Sequence, residues 1–144
     1  MSGETAGATF AHAPIEVEWT GGERFTAGRA DGPKTDIDWD GKTAPSPVDV
    51  LLAAIATCAS SDVVIILQKQ RTPPKSLSIR VESTRVSGTP RRLASVVLHF
   101  KIRGAGIVRE KAQRAIDLAV EKYCSVRSSL ATDIPVTTTL DLAE

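Results

Sequence analysis

Cys58 and Cys124 are the two side chains of this 144-residue chain best suited to act as nucleophiles. A thiolate attacks electrophilic oxygen or sulfur, and a second thiol can trap the oxidised product. A pair is therefore the smallest set for peroxide reduction or a thiol relay. The competing reading is equally physical: a free cysteine packs as a small hydrophobe, and both residues follow apolar stretches. Spacing along the chain does not say whether the two sulfurs meet, so both readings stay open on the residues alone. Other chemistries are poorly served. His12 and His99 fall in predicted strands without HxxH, HExxH or CxxC spacing, which argues against a metal. No Gly-rich phosphate loop precedes a helix, Gly21-Gly22 reads as a turn, and nothing points to a Ser-His-Asp set.

Cys58 lies near the middle of a predicted helix over Ser46–Arg71, the segment around which the chain is organised. Ser46, Pro47 and Asp49 form a capping-box start, with Pro at the first helical position. From Val50 to Ala59 every residue except Thr57 is apolar or Cys. A surface helix shows one apolar stripe, so this one is expected to be buried nearly all round. One sheet covers one face only, and a second copy of the chain is the expected cover for the other. Thr72-Pro73-Pro74 stops the helix. Cys124 ends an amphipathic helix over Val108–Cys124, in which Ala112, Ala115, Ile116, Ala119, Val120 and Tyr123 recur at helical spacing.

The remaining elements read as strands. Ala8 to Trp19 contains the alternation Ile15-Glu16-Val17-Glu18-Trp19, Gly21-Gly22 turns it, and Glu23 to Ala27 returns. Thr35 to Trp39 forms a short third strand, with Ile37 and Trp39 on one face. Leu77, Ile79 and Val81 alternate with polar residues, as do Val96, Leu98, Phe100 and Ile102, and Val136 to Leu142 closes the chain after Pro135. The order predicts a single α+β domain over residues 1–144, with antiparallel sheet of about six strands.

Composition bounds the function. The net charge is +1, with acids and bases interleaved, which leaves no electrostatic footprint for nucleic acid. The Val50–Ala59 run is too short to span a bilayer. Residues 1–7 are small and polar and are expected to be frayed. The stretch MSGETAGATF lacks the basic start and apolar run of a signal peptide, which predicts a cytoplasmic protein. Cytoplasmic thiols are normally kept reduced, so the pair leans towards catalysis or sensing rather than a staple.

The run Ala44-Pro45-Ser46-Pro47-Val48-Asp49-Val50-Leu51-Leu52-Ala53-Ala54-Ile55-Ala56-Thr57-Cys58, continued by Ser61 to Leu67, closely resembles the OsmC/Ohr family. These are the osmotically inducible and organic hydroperoxide resistance proteins. Glu121-Lys122-Tyr123-Cys124-Ser125-Val126 is similar to the family's second cysteine segment. The resemblance implies a thiol peroxidase with an intertwined homodimeric fold, antiparallel sheets packed around long central helices. In that scheme Cys58 attacks the hydroperoxide and becomes a sulfenic acid, Cys124 condenses with it to a disulfide, and a dithiol reductant restores both. The reductant would be a small molecule or a lipoyl- or thioredoxin-type protein. No haem, metal, nucleic acid or membrane is implied.

Such a site needs a cation beside the thiolate. Cys58 is about three turns into its helix, beyond the reach of the terminal dipole, and apolar surroundings disfavour a thiolate. Arg24, soon after Gly21-Gly22, stands where the family places its catalytic Arg, with Arg29 as the competitor. Asp49 either holds that Arg or only caps the helix. In the organic hydroperoxide branch the carboxylate directly follows the Pro, where this chain has Val48. Asp49 one place later and Asp62 one turn beyond Cys58 resemble the less characterised OsmC-like branch, and Cys124 lacks the Pro-Tyr that often follows the second cysteine in the organic hydroperoxide branch. The alternative to a peroxidase is a redox-sensing or ligand-binding dimer of the same fold. A purely structural dimer with inert thiols is a third reading.

Overall fold

The alternation of Ile15, Val17 and Trp19 with Glu16 and Glu18 does form a strand, β1 (Ile15–Gly21), in the computed structural model, which describes residues 7–144. The expectation for residues 1–6 lies outside the described residues. Gly21 and Gly22 take φ of 113° and 57°, a left-handed region that favours glycine. They turn β1 into β2 (Arg24–Arg29), and β3 (Lys34–Asp38) completes an antiparallel meander. The register pairs Trp19 with Phe25 and Phe25 with Ile37, which puts these three on one face with Ile15, Val17, Ala27 and Arg29. Arg24, Thr26, Asp36 and Asp38 occupy the other. The apolar row of β1 is open in the single chain, with Val17 and Trp19 each 63% exposed. The strand begins later than expected, and Trp39 stands just beyond β3, its ring centroid 6.3 Å from that of Phe25.

The capping box forms as the sequence predicts. The Ser46 backbone N–H donates to Asp49 Oδ2 at 2.9 Å, and the Asp49 N–H donates to Ser46 Oγ at 3.1 Å. From it runs α1 (Pro47–Lys69). Its end is set by Arg71, which adopts φ 62°, while the Thr72 N–H bonds back to the Leu67 carbonyl at 3.0 Å. That closure satisfies the last carbonyls before the two prolines are reached.

The chain divides into two compact units, Met1–Val50 and Leu51–Glu144. In the second, β4 (Ser76–Arg85) and β5 (Leu93–Arg103) pair antiparallel, and β6 (Val136–Ala143) pairs parallel to β5. This corrects two expectations. Among the described residues there are two three-stranded sheets rather than one of about six strands, and the second sheet is mixed. The physical reason is the connection: the segment from β5 to β6 carries a helix, and such a crossover returns a strand in parallel. Val96, Leu98, Phe100 and Ile102 of β5 are buried at strict two-residue spacing. With Ala112, Ala115 and Ile116 of α2 (Arg109–Leu118) they supply much of the core.

The expected all-round burial of α1 is not met within one chain. Ile55, Ala56, Ala59, Val63 and Leu67 form one buried stripe, while Ile65 is 47% exposed. A single copy covers one face of a helix whose composition asks for more. The second predicted helix is also interrupted. After α2 the backbone widens into a π-helical turn, Ala119–Tyr123, closed by the Cys124 N–H to the Ala119 carbonyl at 2.8 Å. A short α3 (Ser125–Ser128) follows.

Candidate active site

Cys58 stands half-buried near the midpoint of α1. The polar residues around it are accommodated by bonding backwards. Thr57 Oγ1 donates to the Ala53 carbonyl at 2.6 Å, Ser60 Oγ to Ala56 at 2.7 Å and Ser61 Oγ to Thr57 at 2.8 Å. Each hydroxyl is satisfied without a partner from another element, which lets Thr-Cys-Ala-Ser-Ser continue an apolar helix. Asp62, one turn beyond Cys58, is half-buried.

Cys124 is not inside a helix, as the periodicity implied, but at a junction. It ends the π-helical turn with φ −74° and ψ 103° and is the N-cap of α3. Its Sγ accepts the Arg127 backbone N–H at 3.3 Å, the i to i+3 geometry of a capping side chain. Its thiol also lies 3.9 Å from the carbonyl of Ile55, one turn before Cys58, and close enough to Cys58 for the two thiols to interact. The fold thus brings together two cysteines far apart in the sequence. Cys124 is 2% exposed. Burial pushes its thiol above the ordinary value of 9.0, Cys58 adds to the rise, and the Arg127 N–H opposes it.

In the first unit, Arg24 Nη1 donates to Thr43 Oγ1 at 2.7 Å, and Nη2 pairs with Asp36 Oδ2 at 3.2 Å. A guanidinium carries five donors, so this anchoring leaves others free. Arg29 is on the opposite face of β2, in the apolar row. Asp49 spends its polar contacts on the capping box. Asp38, beside Arg24 in the register, is 3% exposed and accepts from both the Thr43 hydroxyl (2.6 Å) and the Thr43 N–H (3.0 Å). Those bonds hold its carboxyl down at about 2. Glu23, Asp38 and Asp40 bring carboxylate oxygens within 4.8 Å of one another. Asp38 is already engaged in the 38–43 turn, so the cluster reads as turn structure.

A family model described as OsmC-like protein matches residues 40–139, which include both cysteines, α1 and the whole second sheet up to Thr139. The chain belongs to the OsmC-like family. Protein YhfA of Escherichia coli K12 is 35% identical over 122 residues, 84% of this chain and 91% of that protein. The solved OsmC-like protein of Mycoplasma pneumoniae superposes with a TM-score of 0.80 at 15% identity, over 94% of this chain and 100% of that one. The organic hydroperoxide resistance protein OhrB of Bacillus subtilis does so at 0.60 and 18% identity, over 91% and 98%. The α+β OsmC fold expected from the two cysteine motifs is therefore the fold of this chain. By length and composition α1 could cross a membrane, but within the OsmC fold it is a core helix.

Two features of the candidate residues escaped the sequence. One is Thr43 and Asp36 as partners of Arg24, which only strand pairing reveals. The other is Arg127, whose signal was available: Cys124 and Arg127 have the spacing of an N-cap and its i+3 donor.

Proposed function

We propose that this OsmC-family protein is a thiol-dependent hydroperoxide reductase. The observation that carries the reading is the approach of the Cys124 thiol to Cys58, one sulfur buried and the other half-exposed. The Cys58 thiolate attacks the terminal peroxide oxygen, the O–O bond breaks, and the alcohol leaves with a proton. Cys124 then attacks the Cys58 sulfenic sulfur, water departs, and a disulfide forms. An external dithiol supplies the two electrons that return both thiols, so the cycle needs neither haem nor metal. OhrB, described as an organic hydroperoxide resistance protein, shares the fold and lends the substrate class. Leu51, Leu52, Ile55 and Tyr123, apolar neighbours of the two cysteines in the sequence, favour organic over hydrogen peroxide.

Arg24 is the proposed activator of Cys58, pre-oriented by Asp36 and Thr43, and Asp49 is its possible anchor besides capping α1. The working unit is a cytoplasmic homodimer of single-domain chains. The open apolar row of β1 and the uncovered side of α1 support the dimer, since exposed apolar faces of this kind ask for a partner.

The test is one equivalent of organic hydroperoxide added to reduced protein. An intramolecular Cys58–Cys124 disulfide, and turnover once a dithiol is supplied, are the expected outcome. Two free thiols by peptide mapping would sink the reading. A redox-sensing dimer is the second reading, favoured by the raised Cys124 thiol, which slows resolution and prolongs the sulfenic acid. It predicts disulfide formation without sustained turnover.

A further inference from the structure

A cavity of about 310 Å³ opens beside Cys124, lined among others by Lys122, Arg127, Glu121 and Thr132. Cys58 is not part of its wall. The two sulfurs therefore face different surroundings, and only the one at the helix junction meets this cavity. Its size is at the lower end for small-molecule sites, roughly 300–1,000 Å³, which suits a small thiol and is too confined for a protein domain. Its charged lining is two cations against one acid. Arg127 Nη2 donates to the Ile134 carbonyl at 2.8 Å, which fixes the guanidinium in the wall. Lys122 is exposed, its ammonium 5.5 Å from the Tyr123 ring centroid.

We infer that this cavity is the entry site for the reductant: a small thiol bearing an anionic group docks against Lys122 and Arg127 and opens the disulfide by attacking Cys124. The inference rests on the reading that Cys58 and Cys124 form a disulfide. The reductant thiolate forms a bond to Cys124 Sγ, the Cys58–Cys124 bond breaks, and its electron pair leaves on Cys58. A second reductant thiol then attacks the reductant's own sulfur in the mixed disulfide. That step frees Cys124, which takes a proton from water, and releases the oxidised reductant. The direction of attack follows from the geometry, because Cys124 lines the cavity and Cys58 does not.

The test starts from disulfide made with diamide, independent of any peroxide activity. Single-turnover reduction is followed with 2-mercaptoethanesulfonate and with neutral 2-mercaptoethanol, rates being corrected for thiolate fraction. The sulfonate should react roughly two- to fivefold faster at low salt, the scale of one exposed ion pair, and lose that advantage at high salt. Lys122→Arg should keep the preference and Lys122→Glu should abolish or reverse it. Acid-quenched intermediates should carry the sulfonate thiol on Cys124. The same preference in Lys122→Glu as in the wild type, or a mixed disulfide on Cys58, would overturn the inference alone. Failure of diamide to join the two cysteines would overturn the disulfide reading with it.

Discussion

The Cys124 sulfur sits close enough to Cys58 for the two thiols to interact, while it accepts the Arg127 backbone N–H at 3.3 Å. The first contact is where the proposed disulfide would form. The other orients the sulfur through a backbone group that cannot swing away. The pair is asymmetric, with the half-buried Cys58 exposed to reagents and Cys124 shielded. In reduced protein at pH 7, iodoacetamide should label Cys58 well before Cys124, since burial both shields the Cys124 sulfur and raises its thiol. Equal labelling rates by mass spectrometry would contradict this.

Cys124→Ser removes the resolving thiol and leaves the helix junction with a hydroxyl that can still accept the Arg127 N–H. The variant should fold, consume one equivalent of hydroperoxide and stop at the Cys58 sulfenic acid. Excess peroxide should then drive it to the sulfinic acid, read by intact mass.

Arg24→Ala should lower thiolate absorbance at neutral pH and slow peroxide consumption by about tenfold or more, the effect of losing an adjacent opposite charge. Arg24→Lys keeps the charge without the planar fork and should recover only part of the rate. Arg29→Ala is the control from the opposite face of β2. If Arg29→Ala lowers the rate and Arg24→Ala does not, the roles are exchanged.

Asp49 caps α1, and the proposed second duty of holding an arginine is separable from the cap by substitution. Asp49→Ala loses the bond from the Ser46 N–H and should cost about 1 kcal/mol, or a few degrees of melting temperature in a chain of this size. Asp49→Asn retains a side-chain oxygen that accepts that bond but not the charge. A stable Asp49→Asn with normal peroxide consumption would show that the residue only caps; a stable, slow one would show that it also holds an arginine.

Acid should loosen the 38–43 turn. The Asp38 carboxyl is depressed from an ordinary 3.8 to about 2 by its bonds to Thr43. Its contribution to stability is therefore complete above pH ~4 and is lost as the pH falls towards 2. Glu23 works in the opposite sense, because the neighbouring Asp40 carboxylate raises its carboxyl and the folded state takes up a proton sooner. Tryptophan emission, with Trp39 beside the turn, should report the acid transition. Thr43→Val, which deletes the hydroxyl partner, should move it to higher pH. An unmoved transition would show that the hydroxyl does not hold Asp38 ionised.

Much of this protein is decided locally, and its sequence shows that much. The capping box at Ser46 and Asp49, the β1–β2 turn at Gly21-Gly22 and the two-residue period of Val96 to Ile102 involve neighbours in the chain, so residue type and spacing suffice. The motifs around Cys58 and Cys124 likewise carried the family and, with it, the fold. The parallel return of β6, the split into two sheets and the partners of Arg24 depend on non-local pairing, which leaves no mark on local periodicity. The π-helical turn that shifts Cys124 out of its helix arises from backbone bonding that skips one residue, as from the Cys124 N–H to the Ala119 carbonyl, invisible in the spacing of Ala112 to Tyr123. Only the tertiary structure brings Cys124 to Cys58, because distance in space between residues far apart in a chain is set by packing and not by sequence separation.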